Sequence, residues 1–329
     1  MSPPSDTRPP VVVITGPTSA GKTPLAIHIA QRFGGEIVNC DSMQVYRYMD
    51  IGTAKPSTEQ RSLVPHHLLD VVTPDVSYSA GRFAREARRA AAAIQERGAL
   101  VVLTGGTGLY IRAFLEGLLE AGEADPELRA ELESEHAQAA GRGHPTALYE
   151  RLEAQDPEAA REIHPHDLKR VIRALEIVAQ GRGGAAERRR QHGFGDRPYR
   201  SLHLALDPGV EELDRRIDAH CHAMLAAGLL HEVRGLRRQG YGPELRSMQA
   251  IGYRHMQPVV AGVDTLVNAV EVMQRDTRRF ARRQRTWIRK VPEAVWVDPR
   301  GPAAIEKCVE QFLDVGGGDS HPAATNRRS

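Results

Sequence analysis

Residues Gly16-Pro17-Thr18-Ser19-Ala20-Gly21-Lys22-Thr23 form an uninterrupted Gly-x-x-x-x-Gly-Lys-Thr string. Glycine at the first and sixth places lets the backbone curl so that successive amide N–H groups point to one centre and cradle phosphate oxygens. Lys22 adds a full positive charge, and the Thr23 hydroxyl is placed to hold Mg²⁺ or a phosphate oxygen. A helix starting here contributes the partial positive charge of its N-terminus. A di- or triphosphate ligand follows, and the loop alone leaves ATP and other diphosphate esters open. Asp41 is a second candidate, opening Asp41-Ser42-Met43-Gln44. A carboxylate beside bound phosphates takes up a proton as general base or holds magnesium through water, while its competing role is to close a turn. A second glycine-rich stretch, Gly105-Gly106-Thr107-Gly108, lets something bulky approach the backbone.

The elements around these residues predict where they sit. Val11 to Thr15 reads as a buried strand before the loop, with a helix over Leu25 to Phe33 after it. Glu36 to Cys40 is a second strand and Leu100 to Thr104 a third, separated by a helix over Ser79 to Arg97. Strands alternating with helices give a parallel sheet covered on both faces, with ligands at the carboxyl ends of the strands. The phosphate loop, Asp41 and Gly105 to Gly108 all fall at that edge. The fold class is therefore α/β, a P-loop-type parallel sheet flanked by helices. Residues 123–199 read as an all-helical insertion, because leucines and isoleucines recur there with no strand between them. The core spans 11–122 and 200–312, closed by a strand over Leu202 to Leu206, helical sequence over Val210 to Gln239 and Asp264 to Lys290, and a late strand over Ala294 to Val297. Disordered tails are expected over 1–10 and 313–329, and a mobile connection over Arg182 to Gly195.

Composition narrows the class. The chain has 329 residues, 41% hydrophobic and 26% charged, with a formal charge of +2. Three widely spaced cysteines suit a reducing compartment rather than a disulfide framework. No stretch is apolar enough for a membrane span, so a cytoplasmic protein, monomeric and with no membrane partner, is the expectation. The positive charge is concentrated. Arg275, Arg278, Arg279, Arg282, Arg283, Arg285, Arg289 and Lys290 stand against Asp276 alone, with Gln284 and Trp287 interleaved. A solvated helix face normally mixes signs, so this excess favours a polyanion such as nucleic acid. His220-Cys221-His222 is no zinc site, because adjacent helical positions face different ways.

Taken together, these motifs resemble the tRNA dimethylallyltransferase (tRNA isopentenyltransferase) family. The likeness rests on Gly16 to Thr23, Asp41 to Tyr46, Asp50 to Pro56, Pro65 to Asp70, Gly105 to Tyr110, His164 to Asp167, Arg173 to Glu176, Ala250 to Arg254 and Arg282 to Trp287, and covers roughly residues 11 to 312. It implies transfer of a dimethylallyl group from dimethylallyl diphosphate to the N6 amine of the adenosine 3′ to the anticodon, with Mg²⁺ as cofactor. By the same resemblance Asp41 is the base, and Lys22, Thr23 and Arg216 stabilise the departing diphosphate. Contacts to the tRNA anticodon stem-loop are implied for Asp41, Ser42, Met43, Gln44, Thr107, Arg129, Lys169, Arg170, Val171, Ile172 and Arg173. They are also implied for Met248, Gln249, Ala250, Ile251, Gly252 and Tyr253, and for Arg282, Arg283, Gln284, Arg285, Thr286, Trp287, Ile288 and Arg289. The rival reading is a P-loop small-molecule kinase using ATP, with Asp41 activating a hydroxyl.

Overall fold

The structure, a computed structural model, describes residues 6–118, 125–180 and 196–314. The expected connection over Arg182 to Gly195, and residues 1–5 and 315–329 of the expected tails, lie outside these residues.

Six parallel strands form one sheet in the order β3-β2-β4-β1-β5-β6: β1 is Pro10–Thr15, β2 Gly35–Asn39, β3 His66–His67, β4 Leu100–Gly105, β5 Arg200–Leu206 and β6 Ala294–Val297. β1 lies at the centre, with Val11 beside Val101 on one side and Ser201 on the other. Its side chains alternate between two cores, as the two-residue period of a strand requires. Val11 and Val13 pack with Phe83, Ile94, Phe114 and Ile217, while Val12 and Ile14 pack with Leu25, Ile29, Ile305 and Val309. A strand buried on both faces needs a continuous apolar run, which Val11 to Ile14 supplies.

Helix Lys22–Arg32 follows the phosphate loop directly. Helix Ala80–Glu96 is capped by the Ser79 side chain, which accepts from the Arg82 N–H. The helical stretch expected over Val210 to Gln239 divides into Val210–Ala226 and Leu229–Arg238, because Gly228 turns the chain with φ of 103°. Several elements escaped sequence reading, among them helices Thr58–Leu63 and Tyr253–Val260, β3 and the last helix. β3 has only two residues, too few to show alternation, and Pro302–Asp314 is a helix that covers the second core. Cys40, Cys221 and Cys308 are free thiols. Among the described residues no helix is long and apolar enough to cross a membrane.

The chain divides into two compact units, residues 1–115 with 197–329, and Glu116–Asp196. The second packs helices Pro126–Gly141, Ala147–Gln155, Pro157–Arg161 and Leu168–Ala179 around Leu132, Leu148, Leu152, Val171, Ile172 and Leu175. Asp125, Asp156 and Asp167 cap three of them by accepting backbone N–H bonds. Glu176 is fully buried, and its carboxylate accepts from Arg129 at 2.7 and 2.9 Å and from Arg173 at 2.8 Å.

Candidate active site

At the carboxyl end of β1 the chain turns through Gly16 to Gly21, with Gly21 in the left-handed region at φ 95° immediately before the helix. The helix start carries no side-chain cap, which leaves first-turn amides for a ligand. Not every loop amide points to a ligand, as the motif alone suggested. The Thr18 N–H donates to Gln284 Oε1 at 2.8 Å. The half-buried Lys22 ammonium reaches back over the loop to the Pro17 carbonyl at 2.8 Å. Burial pulls its pKa down to about 8, against the opposing pull of the Asp41 carboxylate.

Asp41 follows the end of β2. Its Oδ1 accepts the Met43 N–H at 2.8 Å, so it does close a turn, and its second oxygen stays available. Thr107 secures this turn from the next strand end. Its hydroxyl accepts from the Ser42 N–H at 3.1 Å, and its own N–H donates to Cys40 O at 3.3 Å. The glycines around it admit protein. A Cβ on Gly105 would lie 2.2 Å from Cys40 O, on Gly106 2.2 Å from Gln284 Nε2, and on Gly108 2.2 Å from the Trp287 ring.

Helix Val210–Ala226 brings Arg216 to the same place. Its Nε donates to Glu212 Oε1 at 2.6 Å, and its NH1 lies 3.9 Å from the Cβ position of Gly21. Arg215 and Arg216 together hold the Glu212 carboxyl down at about 2. A cavity of about 490 Å³ is lined by Thr18, Ser19, Gly21, Lys22, Thr23, Asp41, Gln44, Arg215, Arg216, His220 and Gln284 among others. Anion cradle, cations and carboxylate thus share one space at the carboxyl edge of the sheet.

The remaining expected contact residues divide by exposure. Lys169, Arg170, Gln249, Arg282, Arg283, Thr286 and Arg289 are exposed, while Ser42, Met43, Ala250, Ile251 and Trp287 are half-buried. Gly252 is buried, and so are Val171, Ile172, Met248, Tyr253, Gln284 and Ile288, whose side chains serve packing and hydrogen bonding within the protein. Arg129 and Arg173 are held on Glu176. The one-sided arginine helix is less one-sided in three dimensions. Arg278 pairs with Asp218, Arg282 with Asp214 at 3.5 Å, Arg285 with Asp207 at 2.6 Å, and Arg275 and Arg279 with Asp276. Arg283, Arg289 and Lys290 have no carboxylate partner among the described residues and carry the helix's uncompensated charge. The i,i+4 spacing of Asp214 and Asp218 was a sequence signal for this acidic stripe, as was that of Glu212 and Arg216. Nothing local marked Asp207.

A glycine-lysine-threonine loop at the end of the central β1 and a carboxylate at the end of β2, with β4 between the two strands, sit at the carboxyl edge of an enzyme fold of the parallel α/β class. The particular family is set by comparison. The IPP transferase family profile matches residues 44–291, and the isopentenyl transferase profile residues 9–76. The chain is 48% identical over 311 residues to a tRNA dimethylallyltransferase of Desulfosudis oleivorans, covering 94% of this chain and 98% of that one. It is 48% identical over 304 residues to tRNA dimethylallyltransferase 2 of Geotalea uraniireducens, covering 92% and 97%. Among solved structures it is similar to the tRNA isopentenylpyrophosphate transferase of Bacillus halodurans, with TM-score 0.68 and 35% identity over 93% of this chain and 97% of that one. A eukaryotic dimethylallyltransferase acting on tRNA gives TM-score 0.81 at 28% identity, covering 95% and 81%. This chain belongs to the IPP transferase family.

Proposed function

We propose that this chain transfers a dimethylallyl group from dimethylallyl diphosphate to the N6 amine of the adenosine 3′ to the anticodon of tRNA, releasing diphosphate. The observation that carries the reading is the shared cavity of Lys22, Thr23, Arg216 and Asp41. An adenine amine is a weak nucleophile because its lone pair is delocalised into the ring. As nitrogen forms a bond to the first prenyl carbon and the carbon–oxygen bond breaks, one amine proton passes to the free oxygen of Asp41. The electron pair of the broken bond leaves on diphosphate, stabilised by loop amides, Lys22 and Arg216. Lys22 exchanges the Pro17 carbonyl for a phosphate oxygen, and an arriving anion favours its charged form.

Magnesium fits this donor set. The described residues contain no cluster of three or more metal-ligating side chains, and Mg²⁺ is commonly held by one or two protein oxygens together with phosphate oxygens and water. Thr23 would ligate it, with Asp41 reached through water, and it would neutralise diphosphate charge. For RNA, the exposed Arg283, Arg289, Lys169 and Arg170 supply phosphate contacts, which position without reading sequence. The acceptor base must leave its stack to reach a cavity of this kind.

The test combines purified protein, Mg²⁺, dimethylallyl diphosphate and unmodified tRNA with adenosine 3′ to the anticodon. Diphosphate release with stoichiometric prenylated RNA is the expected result. ATP turnover on a small alcohol without RNA prenylation would establish the kinase instead. Asp41→Ala should bind prenyl diphosphate as before and lose transfer by about 100-fold or more; retained transfer would remove Asp41 from the base role.

A further inference from the structure

Gln44 lines the cavity beside Asp41, and its amide is held in one orientation. Its Nε2 donates to Thr53 O at 3.0 Å and to Ala54 O at 3.1 Å, which uses both amide protons. Reversing the amide would set its oxygen against two carbonyl oxygens. The acceptor Oε1 is therefore the only part of the group left for a ligand.

The loop that imposes this is itself clamped. Glu232 Oε2 accepts the N–H groups of Asp50 at 3.0 Å and Ile51 at 2.8 Å, and its Oε1 accepts those of Gly52 at 3.2 Å and the Tyr253 hydroxyl at 2.6 Å. Lys55, almost wholly buried, ties the loop to Asp70 at 2.7 Å and to Tyr46 O at 2.8 Å. A Cβ on Gly52 would fall 2.4 Å from the Tyr253 ring, so the loop lies hard against it. Ala54, whose carbonyl receives one Gln44 proton, has φ of 52°, a strained value that persists only where its surroundings over-determine it. Among the described residues no hydrogen bond or ion pair joins this apparatus to the anion loop.

We propose that Gln44 is a specificity-determining residue whose fixed side chain can offer the acceptor base only a hydrogen-bond acceptor, and that Glu232, with Tyr253, is the positioning residue that keeps it so. The inference rests on the reading of a base-modifying enzyme and adds how that base is chosen. An exocyclic amine carries two protons. Asp41 takes the one that leaves, and Gln44 Oε1 accepts the one that stays on nitrogen after the prenyl bond has formed. A purine with an oxygen at that position offers no proton to either group and sets its lone pairs against theirs. A site built to hydrogen-bond a substrate donor rejects an analogue lacking it, because its own polar groups are left unpaired.

The test uses RNA anticodon stem-loops carrying adenosine or inosine at the acceptor position, bound to the full chain with Mg²⁺ and inorganic diphosphate so that nothing turns over. The wild type should prefer adenosine over inosine by about tenfold or more. Gln44→Met, of similar length with no acceptor oxygen, should cut the preference to about threefold or less while prenyl diphosphate affinity stays unchanged. Glu232→Gln should lower the preference in the same direction. Should it fold poorly, Tyr253→Phe removes one bond to the clamp and should lower the ratio by a smaller factor. The preference is a ratio, so loss of folded protein does not move it. Wild-type preference surviving intact in Gln44→Met would overturn the inference while prenyl transfer stood. Absence of transfer to any RNA would overturn the reading beneath it.

Discussion

Gln284 lies in the arginine helix, where the sequence suggested a contact to RNA, yet it is only 8% exposed and joins two strand-end loops. Its Oε1 accepts the Thr18 N–H at 2.8 Å and its Nε2 donates to Gly106 O at 3.0 Å. Gln284→Met keeps the length and removes both bonds. Each partner is partly shielded, so leaving it unmatched costs about 1 kcal/mol, toward the low end for buried groups. The sum is about 2 kcal/mol, to which the close approach of Gly106 adds by leaving little space for a replacing water. Urea unfolding should show the midpoint falling at unchanged m-value. Calorimetric titration with prenyl diphosphate should show affinity weakened by about fivefold or more, because Thr18 is no longer fixed within the anion loop. The salt dependence of RNA binding should not change. Unaltered stability and diphosphate affinity together with weaker RNA binding would refute this account and turn the amide toward RNA.

Lys22 loses its proton as pH rises through about 8 in the ligand-free protein, so prenyl diphosphate affinity should decline from pH 8 to 9.5, and Lys22→Arg should abolish that decline. Because the unfolded chain keeps this lysine protonated to higher pH, the ligand-free protein should gain stability over the same interval; a calorimetric fall there would contradict the burial argument. Arg283→Gln and Arg289→Gln should each reduce the slope of log affinity for RNA against log salt by about 0.7 to 0.9, whereas Arg285→Gln, whose partner is Asp207, should chiefly lower stability. An equal slope change at Arg285 would show that its ion pair opens for RNA. Glu176→Gln should destabilise the helical insertion by about 3 kcal/mol, since Arg129 and Arg173 would face a neutral buried amide. Hydrogen exchange should quicken over Leu168–Ala179 with prenyl diphosphate affinity unaffected.

Local chemistry carried much of this protein in its sequence. Val11 to Ile14 reads as a strand buried on both faces, and Gly16 to Thr23 as a phosphate-type loop opening a helix, because both patterns are short-range and strict in residue type. That Asp41 would share an edge with the loop followed from strand–helix alternation alone. The tertiary structure decided partnership. It set Asp214, Asp218 and Asp207 against the arginine helix, committed the Thr18 amide to Gln284, buried Tyr253 on Glu232, and turned Gly105 to Gly108 toward Cys40, Gln284 and Trp287. Each of these joins residues tens to hundreds of positions apart, and no periodicity in the chain encodes which helix face meets which loop. A single chain can state the type of a charge; only packing determines what neutralises it.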